Sequence, residues 1–303
     1  MRLSTVILPI HRWGEGQKIW RRAEDLGFHA AYTYDHLSWR VPFRDGPWFG
    51  SVPTLTAAAG VTERMRLGTM VTSPNFRHPV VLAKELLTLD DVSGGRVTVG
   101  IGAGGTGFDA GVLGEGEWSG RERAERFAEF TGLLDRLLSS GDVSYEGTYY
   151  SAFEARNIPG CVQRPRIPFA VAATGPRGMR LAARYGQAWV TTGDPTLYET
   201  GTAEESLAAV RGQVDRLEAA LAEVGREADS VERILVTGFT PDRAEAFSSV
   251  GAFTDFAGRH REAGISEIVV HWPIPGSVFA CDQGVFEAIA TEARAQLGGA
   301  AAS

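Results

Sequence analysis

The chain reads as an α/β protein, a (β/α)8 barrel, and three observations predict it. Strand-like apolar runs alternate with amphipathic helical runs from end to end, eight such strands can be counted, and no low-complexity linker divides them. The stretch 66–104 sets the pattern: an apolar run, a Pro/Asn turn, a helical repeat, turn residues, and a second apolar run that breaks into Gly102, Ala103 and Gly104. A helical crossover between two buried strands is a βαβ unit, whose strands are parallel.

Each element follows from its residues. Residues 3–10 form the first strand and residues 17–26 the first helix, with Ile19, Trp20, Ala23 and Leu26 on one face and Gly27 as its stop. Residues 30–34 are the second strand. It ends in Asp35 and His36 and passes into an aromatic, Gly/Pro-bearing loop through Trp39, Phe43, Trp48 and Phe49. Residues 53–61 make a short helix with proline near its first turn. Strand three is 66–72, the following helix repeats Val80, Ala83, Leu86, Leu87 and Leu89, and strand four is 96–101. Residues 121–138 are strongly amphipathic, with Phe127, Phe130, Leu134, Leu137 and Leu138 on or near one face. Residues 143–152 read as a hairpin turning at Glu146-Gly147, a short insertion after strand four. Strands five (168–173), six (187–192), seven (231–238) and eight (267–272) alternate with helices 179–185, 206–224, 253–263 and 286–297. Residues 1–303 are therefore expected to form a single domain, frayed at 298–303.

Composition narrows the function. With 303 residues, 44% hydrophobic and 22% charged, the chain is ordinary globular protein. A net charge of −7 without any dense Lys/Arg run argues against nucleic acid or an anionic membrane as partner. The apolar run 3–10 is too short to span a membrane and leads into His11, Arg12 and Trp13 rather than a cleavage site, so the chain reads as cytoplasmic. Cys161 and Cys281 offer neither a disulfide framework nor a CxxC pair. No metal is expected, since HExxH and HxH are missing, and GxSxG of a serine hydrolase is missing too. The GxGxxG at 102–107 is a decoy, because residues 108–116 stay glycine-rich where a dinucleotide fold needs a helix. Its glycines instead keep the rim low, so that a flat ring can lie against backbone.

Catalytic groups of a barrel sit where strands end. His11 and Trp13 follow strand one, Asp35 and His36 strand two, Thr72, Ser73 and Asn75 strand three, and His271 and Trp272 strand eight. Three of the six histidines thus fall at one rim, with His36 the strongest candidate because Asp35 precedes it. A hydrogen-bonded structural role is the competing reading for any one of them. Thr174, Gly175, Pro176, Arg177 and Gly178 head a helix, where free backbone N–H groups and a positive charge suit a phosphate; a plain turn is the alternative.

Three stretches together resemble the luciferase-like (bacterial luciferase) oxidoreductases, in the branch that uses the deazaflavin F420: AEDLGFHAAYTYDHL (23–37), LGTMVTSPNFRHPVVLAKELLTLDDVSGGRVTVGIGAG (67–104) and ATGPRGMRLAARYGQAWVTTG (173–193). The resemblance implies a TIM barrel with an insertion after strand four, and a flavin or deazaflavin lying across the strand ends. It implies a non-prolyl cis peptide at Met70-Val71, with Thr69-Met70 as the other position. Cofactor contacts would come from Asp35, His36, Met70, Val71, Thr72, Gly102, Ala103, Gly104 and the 174–178 segment. Hydride would move between C5 of F420 and a small organic substrate, as in reduction of an activated C=C or C=N bond. His36 would handle the proton, with His271 and His11 as neighbours. Trp13, Trp39, Trp48 and Trp272 suggest an aromatic substrate wall. Sugar-phosphate dehydrogenases of the family carry an acid just after the strand-four glycines, where this chain has Gly105, so their substrate and acid/base scheme do not carry over. A homodimer is the family precedent. An FMN-dependent monooxygenase fed by a separate reductase is the alternative, and a flavin-binding protein without turnover a second.

Overall fold

A computed structural model describes residues 1–105 and 108–299, so the last positions of the 102–107 glycine motif, Thr106 and Gly107, lie outside the described residues; of the fraying expected at 298–303, Gly298 and Gly299 instead end the last helix, and 300–303 lie outside the described residues. Eight parallel strands close a barrel in the order β1 (Arg2–Val6), β2 (Ala30–Thr33), β3 (Arg66–Thr72), β4 (Val97–Gly102), β7 (Phe169–Ala172), β8 (Ala188–Thr191), β9 (Glu232–Val236) and β10 (Glu267–His271), which pairs back onto β1. Between β4 and β7 an antiparallel hairpin, β5 (Asp142–Glu146) and β6 (Ser151–Arg156), stands apart from the barrel. This is the (β/α)8 architecture with its insertion after the fourth barrel strand.

The helices follow the strands: α1 (Trp13–Asp25), α2 (Ser51–Ala59), α3 (Pro79–Ser93), α4 (Phe108–Val112), α5 (Gly120–Ser139), α6 (Pro176–Tyr185), α7 (Ala203–Glu223), α8 (Arg243–Ala246) and α9 (Val250–Glu262). Their ends carry the expected chemistry. Helix α3 starts with Pro79 and stops at Gly94, whose φ of 65° closes the last turn, and α7 opens with a capping box between Thr202 and Glu205. Among the described residues no helix is long and apolar enough to cross a membrane.

Two apolar layers hold the barrel. The inner one, including Val6, Tyr32, Met70, Ala170, Val190, Ile234, Val236 and Val269, fills the barrel, while the outer one, including Leu67, Val99, Phe169, Trp189 and Leu235, packs strands against helices. Strand residues alternate between the two, as the two-residue period of a strand requires. Strands β3 and β4 approach so closely that a Cβ on Gly100 would lie 2.0 Å from the Thr69 carbonyl oxygen, so only glycine is accommodated there.

Several boundaries differ from the sequence reading. Strand β1 ends at Val6 rather than residue 10, because Pro9 has no N–H for the ladder and Ile10 turns back to the Leu8 carbonyl. Helix α1 begins four residues early, at Trp13. The closing helix begins as α10 (Gln283–Ala288), where Asp282 accepts from the Val285 N–H, and carries a π-helical stretch at Ile289–Ala293 before α11 (Arg294–Gly299). The glycine-rich stretch after β4, expected to stay irregular, contains α4.

Candidate active site

The strands' C-terminal ends and the loops beyond them enclose a cleft of about 1040 Å³. Its floor is the end of β3. The Met70-Val71 peptide is cis, at the position expected, and the β3–β4 register shifts between Thr69 and Thr72. Met70 and Val71 line the cleft, as do Ser73 and Asn75 just beyond. Beside them, at the end of the neighbouring strand β4, lie Gly102, Ala103 and Gly104. Gly104 has a φ of 74°, and a Cβ there would come within 2.2 Å of Asn75 Nδ2, so the position needs glycine both for its backbone and for the close packing of the Asn75 amide.

At one end of the cleft stands the N-terminus of α6. Gly175 precedes it in extended conformation without any side-chain cap, and Thr174, Gly175, Pro176, Arg177 and Gly178 all line the space. Arg180, one turn into the helix, lines it as well. First-turn N–H groups, the positive end of the helix dipole, Arg177 and Arg180 all belong to this side of the cleft, an arrangement suited to an anion.

At the other end is His36. Its Nδ1 lies 2.7 Å from Oδ2 of Asp109, a carboxylate only 1% exposed, whose Oδ1 accepts from the Leu37 N–H at 2.7 Å. Asp109 sits in α4, so the short helix absent from the sequence reading is what brings a carboxylate to this histidine. Gly105 leaves the first position after the glycines without an acid, and Asp109, the first acidic residue to follow, is the one that meets His36. Its place in the sequence was the available signal. Trp39 packs on the His36 ring at 4.4 Å, and Trp48 stacks behind Trp39 at 6.0 Å while its Nε1 donates to the His36 carbonyl oxygen.

Other expected site residues lie elsewhere. Asp35 is buried and turned away from the cleft into a cluster in which Arg77 donates to both its oxygens, at 2.7 and 3.0 Å, and Ser51 donates at 2.5 Å. Successive side chains at a strand end take opposite sides, so His36 and Asp35 cannot share the pocket. Thr72 is fully buried beside the floor and does not line the cleft. His271 is 0% exposed and stacks on Phe279 at 3.9 Å. Burial, then the charge of Arg243, pushes its pKa down to about 3. His11 is half-buried and outside the lining, and burial lowers its pKa too. Trp13 is 38% exposed at the start of α1, and Trp272 packs edge-on against Phe286 in the outer layer. Of the four tryptophans, Trp39 alone lines the cleft. The sequence reading missed Tyr34 and Phe239 there, because aromatic residues near strand ends look like core, and Arg40, because a charged loop residue looks like solvated surface.

The parallel barrel thus carries, at its strand ends, a cleft with a glycine rim, the N-terminus of a helix and a carboxylate-held histidine. The chain belongs to the luciferase-like monooxygenase family, whose model matches residues 2–268. Among curated proteins it is similar to an F420-dependent glucose-6-phosphate dehydrogenase of Microbacterium testaceum, 33% identical over 261 residues that cover 83% of this chain and 71% of that one. It is also 40% identical over 174 residues to the protein of the same name from Beutenbergia cavernae, covering 56% of this chain and 50% of the relative, so the match spans about half the relative's length. In fold it resembles the F420-dependent tetrahydromethanopterin reductase of Methanopyrus kandleri, with a TM-score of 0.74 and 21% identity over 96% of this chain and 97% of that one.

Proposed function

We propose that this protein is an F420-dependent oxidoreductase that passes hydride between C5 of the deazaflavin and a carbon of a small organic substrate. The observation that carries the reading is the cleft's composition: a cationic helix end at one side, a glycine-rimmed slot over Met70 and Val71, and His36 held by Asp109 at the other. The wall also carries two buried polar atoms, Ser73 Oγ and Asn75 Oδ1, without a partner among the described residues, and a heteroatom-bearing ring would satisfy them. Both curated relatives carry F420 in their names, which supports it over FMN.

On this reading Met70, Val71, Ser73, Asn75, Gly102, Ala103 and Gly104 hold the ring, while residues 174–178 with Arg180 hold the phosphate. When bound, F420 supplies two-electron hydride chemistry at C5. His36 exchanges the accompanying proton: with its Nδ1–H donated to Asp109, Nε2 is the nitrogen free to meet a substrate. Tyr34, Trp39 and Phe239 keep the substrate side apolar and exclude water. Such a wall, with Arg40 beside it, suits a small organic substrate, through reduction of an activated C=C or C=N bond or oxidation of an alcohol. Asp35, Thr72, His11, His271, Trp13, Trp48 and Trp272 have no direct contact with substrate or ring in this scheme.

Parallel titrations of the protein with F420 and FMN test the reading, followed by tryptophan fluorescence, since Trp39 lies in the cleft. Micromolar binding of F420 with much weaker FMN binding is expected. Preference for FMN would favour the oxygen-using monooxygenase instead, and binding of neither would refute the cofactor assignment.

A further inference from the structure

We propose that Tyr34 is a second hydrogen-bond donor to the substrate, with His271 as the positioning residue that turns its hydroxyl proton toward the cleft. The proposal rests on the hydride-transfer reading and adds the group that meets the substrate's oxygen. Tyr34 lies two residues before His36, both side chains line the cleft, and their rings stand edge to face with centroids 6.2 Å apart.

The placement of one proton decides the geometry. Tyr34 Oη lies 2.7 Å from His271 Nε2, and His271 is locked in place by the stacked Phe279 ring and by Gly238, where a Cβ would come within 2.3 Å of His271 Cε1. The other nitrogen, Nδ1, is buried and has no partner among the described residues. With a pKa near 3 the ring is neutral at physiological pH, so a single proton sits on one of the two nitrogens. On Nδ1 it would be a stranded buried donor, the rarest kind of unpaired group. Arg243, a buried guanidinium whose own Nε and Nη2 lack partners among the described residues, adds a positive charge near the ring and no acceptor for such a donor. On Nε2 it donates to Tyr34 Oη and leaves on Nδ1 only a lone pair, an unpaired acceptor rather than an unpaired donor. The second arrangement wins.

A phenol oxygen that accepts from His271 keeps its own proton for something else. Burial raises the Tyr34 pKa well above its usual value, so that proton stays on the oxygen, and among the cleft groups near it Arg40 opposes the shift only in part. A substrate alcohol oxygen can then touch both Tyr34 and His36. With F420 bound to take the hydride and its electron pair, the O–H proton would pass to His36 Nε2 as the C–H bond breaks and the C–O bond becomes C=O. Tyr34 loses no proton and stabilises the charge on the oxygen during the transfer; the reverse reaction uses the same contacts.

The test reads the tautomer directly. In the free protein labelled with 15N-histidine, long-range proton–nitrogen correlation should show His271 protonated at Nε2 and bare at Nδ1, unchanged between about pH 8 and 5, with the signals identified by their loss in His271→Gln. A proton on Nδ1 would overturn the proposal, since Tyr34 would then spend its proton on His271. This readout needs no cofactor, so failure to bind F420 refutes the cofactor assignment without deciding the tautomer. In F420-loaded protein oxidising 2-propanol or cyclohexanol, Tyr34→Phe should lower kcat about 10- to 100-fold and leave the F420 Kd within about twofold. An unchanged kcat would overturn the proposal as well.

Discussion

Charge reversal at Arg177 tests the phosphate end of the cleft most directly. Arg177 is the second residue of α6, exposed at the cleft wall beside the first-turn N–H groups. Two unit charges about 4 Å apart in water interact by about 1 kcal/mol, so exchanging a positive for a negative charge beside a singly charged phosphodiester costs about 2 kcal/mol. That is roughly a 30-fold rise in the F420 Kd for Arg177→Glu. Because the site is open, screening should shrink the effect as salt rises, and the backbone N–H groups should retain part of the affinity. The assay is fluorescence titration at two ionic strengths, with F420 and with the deazaflavin riboside that lacks the phosphate. The riboside should bind both proteins alike. An unchanged Kd for F420, or an equal loss for the riboside, would refute the assignment of α6 to the phosphate.

Two further outcomes are expected. Asp109→Asn leaves one carbonyl oxygen to serve both the His36 Nδ1–H and the Leu37 N–H, and sets an amide N–H against one of them. Losing a charge-assisted bond of about 1.5–3 kcal/mol should lower kcat about 10- to 150-fold with F420 affinity retained, and steady-state rates within about threefold of the parent would exclude the pair from proton transfer. His271 should govern acid stability, since its folded pKa of about 3 lies below the unfolded value of 6.5. Between those values the unfolded chain binds a proton that the folded chain refuses, so stability falls as pH drops, by up to about 1.4 kcal/mol per pH unit. Urea unfolding from pH 7 to 4 should show a slope shallower by about one proton in His271→Gln, and identical slopes would mean the ring is not held neutral.

How much of this was legible varied with the reach of the interactions involved. Strand β3 was legible to the residue and β4 to within one, because buried parallel strands are unbroken apolar runs; helix α3 was legible from its apolar repeat over 80–89, which falls near every 3.6 positions, but it runs on to Ser93 through residues that read as a turn. The closing helix was harder, since its apolar repeat begins only after the Asp282 cap and is shifted by the π-helical turn. In the site, His36, the 102–104 glycines and the 174–178 helix start were legible from strand ends alone. The Asp35 ion pair with Arg77 was not, because it joins groups 42 positions apart.

By itself, then, the sequence determined the alternation of elements, the closing of eight strands into a barrel, and which short segments reach its rim. Those properties depend on hydrophobic period and on turn residues, both local. Only the tertiary structure decided which rim residues face the cleft. It turned Asp35 outward and His36 inward, buried His271 behind Tyr34, left Trp13 and Trp272 outside, and delivered Asp109 to His36 across 73 positions of chain. Side-chain direction at a strand end and the meeting of distant loops are set by packing around the closed barrel, and no local pattern encodes them.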